Sequence, residues 1–251
     1  MSTDPRTTST WRGDLDSLMR KARIAGSLYL LLVLPGPLSL IYIPSKLIVR
    51  EDAAATANKI LAHETLFRIG MVADVAGAFF FVILVLALYR LLSDVSKSQA
   101  ALMVSLVVVS AAIGCVNVLP NIAALMLFRG GDFLTVLEKP QRDALAMMFL
   151  RLHGQGNSIN EAFWGLWLVP FGTLVYRSGF LPRILGAWLV VNGFAYVALS
   201  FIGLMYPDYN DAAFSMATPI LFGELAIMLW LVIKGARTKP LAAAAPLAAA
   251  L

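Results

Sequence analysis

The sequence predicts an all-α integral membrane protein. It reads as a bundle of six transmembrane helices, with one or two short interfacial helices on the outer side. Three observations carry that expectation. The 251 residues are 59% hydrophobic and only 14% charged, with a mean hydropathy of +0.78, whereas a soluble domain is roughly 45–50% apolar and about 25% charged. Six stretches approach the ~20 apolar residues that cross roughly 30 Å of hydrocarbon. The basic residues also cluster beside alternate ends of those stretches. The same figures exclude disorder, which needs low hydrophobicity. A single cysteine, Cys115, excludes a disulfide framework. The net charge of +5 comes without any basic run interleaved with aromatics, so nucleic acid is not an expected partner.

Residues 1–19 are polar and lack an apolar core of signal-peptide type. They read as a mobile cytoplasmic tail, with a helical pattern starting near Asp16. The membrane domain covers 20–236. Its first span, Ile24–Ile43, is free of charge and is broken by Pro35-Gly36-Pro37. The second, Leu66–Leu92, contains Arg68, Asp74 and Arg90. The third lies within Ser98–Phe128, 31 residues without a charge, where Pro120 predicts a kink or an early end. The fourth, Ser158–Tyr176, carries Glu161. The fifth is Ile184–Tyr206, and the sixth, Ala212–Ile233, carries Glu224. The alanine- and leucine-rich residues 237–251 are too few to span and read as a low-complexity tail.

Two outer segments have helical character. Asp52–Glu64 opens with a capping aspartate and runs through alanines. In Arg142–His153, Leu145, Met148, Phe149 and Leu152 recur at helical spacing. Each is either a separate interfacial helix or an N-terminal extension of the span that follows. In the turn Arg177–Arg183, Gly179 is placed to end one helix and Pro182 to open the next.

With both termini inside, the cytoplasmic segments hold 12 basic residues and four acids. The remaining eight basic residues accompany 11 acids. That bias fixes the expected orientation in the plasma membrane.

Several short segments carry a resemblance as a set. They are Arg23-x-Ala25-Gly26-x-Leu28-Tyr29-Leu30, Asp52-Ala53-Ala54-Ala55-Thr56-Ala57, Leu66-Phe67-Arg68-x-Gly70 and Leu88-Tyr89-x-Leu91-Leu92. Further along come Leu152-His153-x-x-Gly156, Arg177-Ser178-Gly179-Phe180-Leu181-Pro182-Arg183-x-Leu185-Gly186, Gly223-Glu224-Leu225 and Leu229-Trp230-Leu231. Across roughly 20–236 this set resembles the bacterial and archaeal multi-pass membrane family known as domain of unknown function 4386. The resemblance implies the topology and no catalytic assignment.

An ionisable group within a span is costly and therefore a functional candidate. Asp74, Glu161 and Glu224 are the three acids so placed. Arg68, Arg151, His153, Asn117 and Asn157 gather at the same outer level and complete the candidate ligand-binding set. Together they suggest a polar pocket open to the outside, taking a small-molecule or lipid ligand, with the bilayer as the other partner. An intramembrane enzyme is the alternative. His63 and His153 are weak metal candidates, because His63-Glu64-Thr65-Leu66-Phe67 lacks the second histidine of a zinc motif. No cofactor is implied. A proton-coupled carrier titrating at Asp74 or Glu224 is a third reading, and a scaffold without chemistry is the last. The structural alternatives pair Asp74 with Arg68, and Glu224 with Asn192 or Asn117. Cys115 is expected in packing.

Overall fold

A computed structural model describes residues 5–33 and 35–236. The segment 237–251, read above as a tail, lies outside the described residues. Among the described residues the regular structure is helical throughout. Helix α1 (Pro5–Val33) starts ahead of the Asp16 expected from the pattern and runs without a break into the apolar segment. The Pro-Gly-Pro motif then interrupts it. A single turn, α2 (Pro35–Pro37), passes into a π-helical stretch (Leu38–Tyr42) and the short α3 (Ile43–Leu47). Each proline removes one backbone donor, and the wider π turn absorbs the mismatch.

Helix α4 (Ala53–Ala62) is separate, as one reading of Asp52–Glu64 had it. Asp52 Oδ1 accepts from Ala55 N at 2.8 Å and caps the helix. His63 leaves the helical region at φ −126°, ψ 39°, and α5 (Glu64–Leu92) begins at the next residue. The apolar third segment divides into α6 (Lys97–Val116) and α7 (Leu119–Arg129), with Asn117 and Val118 at the break ahead of Pro120. The segment Arg142–His153 takes the other alternative. It is the N-terminal part of α8 (Lys139–Ser178), one helix of 40 residues. Gly179 at φ +74° ends α8 in the left-handed region. Pro182 caps α9 (Arg183–Met205) from just outside rather than within its first turn. The last helix is α10 (Asn210–Ile233).

Five helical stretches among the described residues are long and apolar enough to cross a membrane. They are Asp16–Leu47, Glu64–Leu92, Lys97–Arg129, Arg183–Met205 and Pro207–Ile233. Helix α8 is not one of them, because its middle carries His153, Gln155, Asn157, Asn160 and Glu161. It nevertheless holds the bundle together, packing on α4, α6, α7 and α9.

The α8–α9 contact is made by glycines spaced seven residues apart on each helix. Gly172 faces Gly186, and Gly165 faces Gly193. A Cβ on Gly186 would lie 2.5 Å from Tyr176 N and 2.6 Å from the Gly172 carbonyl oxygen. Bare glycine faces let the backbones touch, which is how helices associate where lipid weakens the hydrophobic drive. Gly26 does the same between α1 and α10, where an added Cβ would sit 2.6 Å from Val232 N. The aromatic residues divide by environment. Trp167 is 1% exposed, stacked on Phe171 at 5.2 Å and edge-on to Phe81 at 5.1 Å. Phe79 is 64% exposed on the outer surface of α5. Cys115 is also exposed, contrary to the packing role expected of it.

Candidate functional site

The inward face of α8 carries His153, Asn157, Asn160 and Glu161 in successive turns, a spacing that aligns side chains along one stripe. Two groups of partners meet that stripe. The first lies at the break between α6 and α7. Asn117 Nδ2 donates to the His153 carbonyl oxygen at 3.0 Å and to Asn157 Oδ1 at 2.9 Å. In return His153 Nδ1 lies 2.7 Å from the Asn117 carbonyl oxygen, which can only accept. The hydrogen therefore sits on Nδ1. Nε2 is left as the acceptor for Asn157 Nδ2 at 3.3 Å. These bonds close a ring that ties the broken helix to α8. Gly156 makes room for it, because a Cβ there would collide with the Asn117 side chain.

Asp74 of α5 joins this group from the side. Its carboxylate accepts from the Ser39 hydroxyl in the π-helical stretch and lies within electrostatic reach of His153. The sequence offered no sign of Ser39, whose position depends on how the Pro-Gly-Pro motif turns the chain. Arg68 does not pair with Asp74. Its Nε bonds Glu64 Oε1 at 2.7 Å, and Arg129 reaches the other oxygen of Glu64 at 3.4 Å. Arg151 is exposed and donates to the Arg50 carbonyl oxygen at 3.3 Å. Arg50 in turn meets Asp211 at 2.7 Å, and that neighbouring carboxylate holds its guanidinium above the ordinary arginine range. Both partners of this pair are largely solvent-exposed, so it adds little stability.

The second group lies deeper. One turn beyond Asn157, Asn160 Oδ1 accepts from Ser110 Oγ at 2.8 Å. Glu161 Oε2 is buried without a hydrogen-bond partner among the described residues. Glu161 lies near Tyr196 of α9, whose hydroxyl bonds Glu224 of α10. The Tyr29 hydroxyl of α1 donates to Glu224 Oε2 at 2.5 Å. The partners of Glu224 are therefore two phenols rather than Asn192 or Asn117. Asn192 instead donates to the Leu221 carbonyl oxygen at 3.2 Å, one turn from Trp188, which donates to Ile220 at 2.9 Å. Trp188, Asn192 and Tyr196 thus form one stripe on α9 that holds α10 in register. Neither tyrosine was a sequence candidate. Tyr29 could have been suspected from its place in the Arg23–Leu30 segment, but Tyr196 carried no signal.

The eight candidates thus separate. Asp74, Asn117, His153 and Asn157 come together. Glu161 and Glu224 approach a shared tyrosine, Tyr196 of α9, and Arg68 and Arg151 stand apart at the surface. His63 is exposed at the α4–α5 junction. Among the described residues no three His, Cys, Asp or Glu side chains group as metal ligands would.

The described residues, all-helical with five membrane-length apolar stretches and a polar stripe on the long α8, are those of a membrane protein. The chain belongs to the family described as Domain of unknown function (DUF4386), whose model matches residues 24–235. A protein of Archaeoglobus fulgidus, described as uncharacterized, is similar to it. The two are 29% identical over 166 residues, 64% of this chain and 83% of that protein. No solved structure matches.

Proposed function

We propose that the chain is a multi-pass plasma-membrane protein with six spans and both termini cytoplasmic. In this reading α8 supplies the fourth span in chain order, beside the five apolar ones. Its 40 residues reach about 60 Å, twice the hydrocarbon thickness, and neighbouring helices bury Ser158 and Asn160 and partly cover His153, Asn157 and Glu161. The end of the bundle that carries α4 then faces outside. The protein binds or moves a small or lipid-like ligand through the polar tract that opens there. One observation carries the reading: Asp74, Asn117, His153 and Asn157 come from three separate helix segments and meet at a broken helix. Broken helices at membrane depth are tolerated where they line a polar cavity, and ligand sites form there. The intramembrane hydrolase has less support, since both ring nitrogens of His153 are engaged by asparagine.

The test is mass spectrometry of small molecules and lipids co-purifying with the wild type and with Asp74→Asn. At least one species should be depleted in the variant; identical profiles would overturn the ligand reading. Orientation is tested separately with a C-terminal reporter fusion. Activity restricted to the outer side would refute cytoplasmic termini.

A further inference from the structure

Glu224 differs from the carboxylate of the outer network in the company it keeps. It lies fourteen residues into a 24-residue helix, about 21 Å along an axis of about 36 Å, near the middle of the bilayer. Helix α10 packs chiefly on α1 and α9, and each presents one phenol to the carboxyl, Tyr29 and Tyr196. From α8 the facing titratable group is another acid, Glu161. The basic residues of these elements are distant along their helices. Arg23 stands six residues from Tyr29, about 9 Å; Lys234 stands ten from Glu224, about 15 Å; and Arg183 stands thirteen from Tyr196, about 20 Å. His153 is eight residues from Glu161, about 12 Å. At the other end of α10, Asp211 is thirteen residues from Glu224, again about 20 Å.

Two phenols can orient a carboxylate but supply no net positive charge. A charged group in a span normally finds a partner of opposite sign. The surroundings argue against a metal ion as that partner. Tyr29 is 1% exposed and lies 6.2 Å from the Trp167 ring, and Tyr196 meets Trp164 at 6.2 Å. The wall is thus aromatic, whereas hard cations ask for many oxygen ligands. A proton needs no cavity and no further ligands.

We propose that Glu224 is a proton-exchange site within the membrane, held by Tyr29 and Tyr196. Uptake forms one O–H bond on the carboxylate from a proton delivered by water, and release breaks that bond and returns the proton to water. A phenol that donates to the carboxylate can rotate to accept from the carboxylic acid, so the pair can accommodate both states. The inference rests on α10 crossing the membrane and not on the ligand of the outer network.

The test is infrared difference spectroscopy of the full chain in phosphatidylcholine nanodiscs, titrated through the neutral pH range. A carboxylic C=O band should appear and vanish with pH in the wild type and be missing in Glu224→Gln. Tyr196→Phe should keep the band and move its midpoint by about one pH unit, a tenfold change in proton affinity. The proposal is overturned if the band persists in Glu224→Gln, if it responds to sodium rather than pH, or if Tyr196→Phe leaves its midpoint in place. The last outcome decides even where Glu224→Gln fails to fold. Depletion of a co-purifying molecule in Asp74→Asn is read independently, so each idea can fail alone.

Discussion

Replacing Gly186 with leucine is expected to abolish the folded protein. The neighbours of Gly186 are backbone atoms, Tyr176 N and the Gly172 carbonyl oxygen, so no side chain can rotate away. The helices must separate, and the contact between Gly165 and Gly193, seven residues further along, opens with them. Overpacking a well-ordered interior typically costs about 1–3 kcal/mol. With rigid backbone on both sides, the loss here should reach or exceed the top of that range. Size-exclusion chromatography after detergent extraction should show the variant as aggregate, while Gly154→Leu, which meets nothing within 4 Å, elutes as the wild type does. Normal elution of Gly186→Leu would show that the α8–α9 contact is not what sets the bundle.

The second large effect is expected at Asn117. Alanine there removes two donated hydrogen bonds across the α6–α8 contact and leaves the Asn157 amide oxygen without its donor. Interhelical hydrogen bonds in membranes are worth about 0.6–1.7 kcal/mol each. Losing the pair should cost about 1–3 kcal/mol, read as a lower midpoint of thermal unfolding. Gly156→Ala should lower it as well, because the new methyl occupies the space of the same asparagine side chain. Nitrogen-15 spectra of His153 add a readout that stability alone does not. The wild type should show the Nδ1–H form, since a carbonyl oxygen faces Nδ1. Asn117→Ala leaves that carbonyl in place but loosens the helix break that holds it, so the two tautomers should mix. A wild-type imidazole carrying its hydrogen on Nε2 would contradict the network.

The two variants probe different layers of what the chain encodes. The helix breaks at Pro35-Gly36-Pro37 and Pro120, the Asp52 cap and the Gly179 turn were all legible, because each is a local consequence of backbone chemistry. The division of the outer segments was not. Asp52–Glu64 breaks at His63, while Arg142–His153 continues into a helix of 40 residues. Both carry helical periodicity, and nothing in periodicity says whether the next residue bends. Helix α8 also shows what hydropathy leaves out. Its polar stretch keeps it apart from the five apolar helices, and only the packing buries Ser158 and Asn160 within that stretch.

For the site, the sequence pointed to the costly residues and not to their partners. Asp74, Glu161 and Glu224 stood out because charge is rare in an apolar span, a property of each residue alone. The partners of Asp74 and Glu224, namely Ser39, Tyr196 and Tyr29, are common residues in spans and attract no notice there. Thus the sequence by itself determined the class of the protein, the places where helices break and the groups that need a partner. Only the tertiary structure decided that Asp74 meets Ser39 rather than Arg68, and that Glu224 meets two phenols rather than an asparagine. The physical reason is that burial preference and backbone propensity act residue by residue along the chain. Which side chains meet depends on the rotation and register of helices, and those are set here by glycine contacts such as Gly172 with Gly186, between residues far apart in sequence.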